Sequence, residues 1–171
     1  MEADQVVKRM RLIAADDAAG LMTGSDRLIR LGLDALLAGV DSPSLPLLAG
    51  LTRAEEPEAQ GLFHQVLDEL GIEVRLPDDP VQRQWALVRC WAGMVVDGVL
   101  EPAEGGGRIC WAEWWHGWPA VVRPIVDAVV RYEDLATCPD SAERQHEIRE
   151  LEDRLRNEAR ALLAVEPWPP V

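Results

Sequence analysis

The sequence predicts an all-α protein, a compact bundle of about six to seven helices in two tightly packed halves. Apolar residues recur at three- and four-residue spacing in nearly every segment. The breaks between segments fall at Gly, Pro, Ser and Asp, the residues that end helices and make turns. With 171 residues, 48% hydrophobic and 27% charged, the chain is long enough to bury a core of its own. It reads as one helical domain, residues 1–171, with sub-halves 1–76 and 80–171 on either side of a proline-rich break.

The first helix, from about Ala3 to Ala19, sets Val6, Met10, Ile13 and Ala14 on one side and stops at Gly20. Ser25 is placed to cap a second helix that carries Leu28, Ile29, Leu36, Leu37 and Val40, with Asp26 in its positive first turn and Gly39 near its end. Ser42-Pro43 offers a cap followed by proline, opening a short apolar turn or two through Leu45, Leu47, Leu48 and Leu51. Thr52 and Glu55 have capping-box spacing ahead of a fourth helix, which starts around Pro57, buries Leu62, Phe63, Val66, Leu67 and Leu70, and ends before Gly71.

Leu76-Pro77-Asp78-Asp79-Pro80 cannot continue a helix and is the internal boundary. Beyond it, Trp85, Val88, Ala92, Val95 and Val96 form one stripe between Val81 and Asp97. Leu87, Cys90, Trp91 and Met94 lie opposite, so this helix is apolar nearly all round and central. Gly98 ends it. Gly105-Gly106-Gly107 then weakens the start of the next helix, which is expected to firm up only near Arg108, the glycines acting as a flexible connection. From there Trp111, Trp114, Trp115 and Trp118 follow at helical spacing up to Gly117 and Pro119. A further helix holds Val121, Val122, Ile125, Val126, Val129 and Val130, with Pro124 in its first turn and an end near Leu135. Asp140 and Glu143 have capping-box spacing for the last helix, where Ile148, Leu151, Leu155, Ala159 and Leu162 make a narrow stripe amid charge. Glu150–Arg154 and Glu152–Arg156 are its expected ion pairs.

Asp97-Gly98-Val99-Leu100-Glu101-Pro102-Ala103-Glu104-Gly105 and Asp41-Ser42-Pro43-Ser44-Leu45 resemble segments of uncharacterised small all-α proteins of GC-rich bacteria. The resemblance implies an all-helical cytosolic domain and brings no activity or site residues with it. Sixteen arginines beside the one lysine, Lys8, fit a GC-rich source.

Charge and composition narrow the function classes. A net charge of −13, spread along the chain, opposes approach to nucleic acid phosphates or an anionic membrane. No apolar run reaches the roughly 18 residues of a membrane span, and the start, Met1-Glu2-Ala3-Asp4-Gln5, is acidic where a secretory signal is basic, so a cytoplasmic location is expected. Cys90, Cys110 and Cys138 suggest neither a disulfide framework nor a zinc site. His64, His116 and His146 each fall away from the apolar face of their helix, as solvated histidines do. Cys110, Glu113 and His116 do not share a face as metal ligands would. Asp16-Asp17 and Asp78-Asp79 read as cap and turn residues. No catalytic residue, metal site or cofactor is therefore expected.

Seven tryptophans against one Phe and one Tyr are the unusual feature. A stripe at helical spacing is core by default; a partner surface and a ligand pocket are the alternatives. Trp111, Trp114, Trp115, Trp118, Trp85 and Trp91 are the candidate binding residues. The leading expectation is a non-catalytic, acidic protein-interaction domain with a basic protein partner, in the specific case an immunity- or antitoxin-type inhibitor. The alternative is a small-molecule-binding helical protein, or a weak enzyme, with a Trp-lined cleft between the halves. A homodimer through the Ile148–Leu162 stripe is compatible with either.

Overall fold

Residues 2–112, 118–137 and 141–165 are described by the computed structural model, and among them regular structure consists of eight α-helices and one 3-10 turn. The protein is all-α, as its periodicity predicts. The chain divides into two units, Met1–Leu76 and Pro77–Val171.

The first unit contains α1 (Ala3–Ala18), α2 (Ser25–Leu37), the five-residue α3 (Leu45–Ala49), a 3-10 turn at Glu56–Glu58 and α4 (Ala59–Glu69). Helix α2 is its hub, packing against α1, α3 and α4. Val6, Met10, Leu28, Leu45, Leu48 and Phe63 are fully buried in one apolar cluster. Gly32 lets the helices close, since a Cβ there would lie 3.0 Å from Leu48 Cγ. Ser25 is the first helical residue rather than the cap, a position held by Gly24. The face of α2 also differs from expectation, for Leu28, Leu31, Gly32 and Ala35 point inward while Leu37 is 79% exposed.

The second unit contains α5 (Pro80–Val96), α6 (Pro102–Trp111), α7 (Arg123–Ala136) and α8 (Ala142–Leu163). They close a ring in which α5 meets α6, α6 meets α7, α7 meets α8 and α8 meets α5, with α6 also touching α8 across it. Asp79 caps α5 by accepting from the Gln82 N–H at 2.8 Å. The cap of α8 is Ser141, whose hydroxyl accepts from the Arg144 N–H at 3.1 Å; Asp140 lies outside the described residues. Leu151, Leu155, Ala159 and Leu162 are buried within the chain, so the stripe read as a dimer surface is already covered. Arg156 pairs with Asp153 at 2.8 Å rather than with Glu152, and Glu150 lies 3.4 Å from His146.

Four helix ends share one device. After α1, α2, α4 and α5, Gly20, Gly39, Gly71 and Gly98 take positive φ of 64–81°, and the next amide donates back to a carbonyl five residues earlier, as in Leu21 N–H to Asp16 O at 2.8 Å. The glycine breaks seen in the sequence are thus helix stops with their carbonyls satisfied.

The glycine run at 105–107 behaves differently. It does not loosen the start of α6, which begins at Pro102 and passes through all three glycines. Gly105 and Gly106 are buried against neighbouring side chains, a Cβ at 105 meeting Val95 Cγ2 at 2.1 Å and one at 106 meeting Val129 Cγ2 at 2.8 Å and Leu155 Cδ2 at 3.0 Å. Close packing overrides the low helix propensity of glycine.

One polar cluster fastens the loop before α3. Glu69, at the end of α4, accepts from the Ser42 hydroxyl, from the Ser44 hydroxyl at 2.6 Å and from the Ser44 N–H at 3.0 Å. Ser42 therefore serves Glu69 rather than capping a helix. These bonds, the Ser42 hydroxyl foremost, hold the Glu69 carboxyl below the ordinary glutamate range. A depressed folded-state pKa gives stability that is full above the unfolded value of about 4.3 and is lost as pH falls through the lower folded value. Glu69→Gln is expected to lower the melting temperature at neutral pH, and the gap from wild type to narrow once pH falls below the unfolded value of about 4.3. Thermal melts across that range check it; a gap independent of pH would show that the carboxylate charge is not what fastens the loop.

Candidate functional site

The end of α6 is the place where the tryptophan-rich segment can be seen. The buried side of this helix, through Gly105, Gly106, Ile109 and Cys110, seals it into the second unit. Trp111, the last helical residue, is left 71% exposed. Ala112 turns extended, with ψ of 146°, and α6 ends at Trp111. Trp111 and Trp118 thus do not share one helix, a correction to the reading of their spacing. Trp118 returns to the helix end, where its Nε1–H donates to the Cys110 carbonyl at 2.9 Å. That carbonyl is one of the last four of α6, which have no partner within the helix. The Trp118 ring is 43% exposed, so two indoles at one helix end reach solvent, one of them tethered.

Electrostatics around this end are mixed. Arg108 pairs with Glu104 one turn back at 2.9 Å. Cys110 is buried, and burial first, then the charge of Glu133, pushes its thiol above the ordinary value. Such a group stays protonated at neutral pH and is a poor nucleophile.

The other candidate tryptophans lie elsewhere or outside view. Trp85 and Trp91 of α5 are each only 4% exposed and belong to the buried core. Trp114 and Trp115 lie outside the described residues, as do Glu113, His116 and Cys138. Cys90 is half-buried.

The remaining histidines make ordinary surface contacts. His64 Nε2 lies 2.7 Å from Asp17 Oδ2, and Asp17 also accepts from Gln60 Nε2 at 3.0 Å, linking α1 to α4. The sequence places His64 outside the apolar face but gives no sign of Asp17, 47 residues away. Among the described residues, no group of three or more His, Cys, Asp or Glu side chains could hold a metal ion. No described helix is long and apolar enough to cross a membrane.

Sequence reasoning finds Trp111 through composition but misses the Trp118 tether and the Glu69 cluster. Both depend on where the chain returns in space, for which no local spacing is a signal. What this end of α6 offers is an exposed aromatic surface on a helix locked by close packing. No protein-family model matches the chain, and no match was found among curated proteins or solved structures.

Proposed function

We propose that this protein is a non-catalytic, acidic protein-interaction domain of the cytosol that binds a basic protein through the surface around Trp111. The observation that carries the reading is the 71% exposure of the Trp111 indole on a helix whose opposite side is packed. Large aromatic side chains dominate binding energy at protein interfaces, and a rigid support reduces the ordering cost of using them. The net charge of −13 supplies long-range attraction for a basic partner. An inhibitor of the immunity or antitoxin type, covering a basic surface, is the specific form of this proposal. A Trp-lined small-molecule cleft has weaker support, because Trp85 and Trp91 are core residues.

Affinity capture from host lysate tests the proposal. The tagged protein is expected to retain a basic protein in stoichiometric amount at low salt and to release it at high salt. Trp111→Ala, a surface change that leaves the core intact, is expected to retain at least about tenfold less. An empty bait that still carries a small molecule in native mass spectrometry would replace this reading with the pocket.

A further inference from the structure

Each unit draws a core from its own helices. In the first, Val6, Leu28, Leu45 and Phe63, one from each helix, share a cluster whose flanking apolar residues run from Val7 to Val74. In the second, Gly105 sits against Val95 of α5, and Gly106 against Val129 of α7 and Leu155 of α8, so three helices close on α6. Polar links tie distant segments within each unit. Asp17 of α1 joins His64 and Gln60 of α4, while Arg131 of α7 donates to Glu147 of α8 at 2.9 Å and Arg144 of α8 to the Leu135 carbonyl at 2.8 Å. Both units exceed the roughly 55–65 residues at which many domains fold alone.

The junction is fastened from either end. Gly71 stops α4, with the Ile72 N–H donating to the Leu67 carbonyl at 2.8 Å, and Val74 packs against the cluster of the first unit. From the other end Arg83 of α5 donates through Nε to the Pro77 carbonyl at 3.0 Å and through Nη2 to the Asp78 carbonyl at 3.1 Å. Between these fastenings stand Leu76 and the mostly exposed Arg75, which pairs locally with Glu73 at 2.8 Å. A helix running across the boundary would carry order from one unit into the other, and Pro77 and Pro80 prevent it. We propose that residues 1–76 and 77–171 are two separately cooperative folding units, each able to open while the other stays folded. Helix α6 then keeps its packing, and Trp111 its support, when the first unit opens.

Urea unfolding of the full chain, followed by far-UV circular dichroism and by tryptophan emission, tests the proposal. All seven tryptophans lie beyond residue 80, so their emission reports the second unit, while the helical signal reports both. In a chain that unfolds as one, the two probes move together. Phe63→Ala is expected to lower a transition in the helical signal by at least about 1 M urea, or to remove that part of the signal, and to leave the tryptophan midpoint at its wild-type value. Gly105→Ala, in the second unit, is expected to do the reverse: the tryptophan midpoint falls and the helical transition of the first unit stays. Both outcomes are read on the free protein, with no partner at Trp111. Either substitution lowering both probes together, in a single transition, overturns the proposal.

Discussion

Phe63→Ala is expected to cost the first unit about 3–5 kcal/mol, the usual range for emptying a fully buried aromatic site. Phe63 is the one phenylalanine of the chain, has no exposed surface, and is the largest fully buried side chain among the described residues. Val6, Met10, Leu28 and Leu48 belong to the same cluster and come from three other helices, so α4 alone cannot collapse to fill the void. Domains are stable by only about 5–15 kcal/mol, and for a unit of this size the loss corresponds to a fall in melting temperature of more than about 10 °C. Urea and thermal unfolding of the full chain measure it. A cost below about 1 kcal/mol would mean that the cluster around Phe63 is not close-packed.

The second large effect is a difference in sign within one run of glycines. Alanine in place of glycine inside a helix ordinarily stabilises by about 0.5–1 kcal/mol. Gly107 has open space where a Cβ would go, so Gly107→Ala is expected to follow that rule. At Gly105 the new Cβ would lie 2.1 Å from Val95 Cγ2 and 3.1 Å from Leu100 Cδ2. Val95 is buried and β-branched, with little freedom to turn away. Gly105→Ala is therefore expected to destabilise by about 1–3 kcal/mol, the cost of overpacking a core. Val95→Ala in the same chain should recover part of that loss, giving a favourable coupling in a double-mutant cycle. Equal stabilisation by alanine at 105 and at 107 would show that α6 does not sit against α5 at Val95.

These glycines also mark the limit of what the sequence discloses. Propensity alone sees three poor helix formers and reads Gly105–Gly107 as a connection. The contacts that justify Gly105 and Gly106 come from Val95, Val129 and Leu155, on three other helices. Positions where local chemistry decides are legible: Gly20, Gly39, Gly71 and Gly98 end helices through their own backbone, and Asp79 caps the helix that follows it. The stripe of α8 is legible too, because its apolar residues are few among many charges. Helix α2 is harder, since Leu33 and Leu37 on one side and Leu28 and Leu31 on the other are the same residue type. Only packing decides which side is covered.

The candidate site divides in the same way. Tryptophan abundance singles out residues 85–118, yet burial separates Trp85 and Trp91 from Trp111, and helical spacing alone does not predict it. Nor does spacing show that α6 stops at Trp111, because the stop is made by the extended backbone of Ala112 and secured by a side chain seven residues beyond the helix. Removing that tether is a milder test of the same region. Trp118→Phe keeps an aromatic ring but loses the hydrogen bond to Cys110, and is expected to cost about 1 kcal/mol in thermal unfolding.

The decisive measurement is the rate at which a basic protein retained in the proposed capture associates with this one, followed by stopped-flow tryptophan emission over a series of salt concentrations. An acidic surface that steers its partner gives an association rate falling steeply as salt rises, while Trp111→Ala leaves that rate nearly unchanged and speeds dissociation by at least about tenfold. An association rate indifferent to salt, together with dissociation untouched by Trp111→Ala, would contradict both the charge and the indole as the means of recognition.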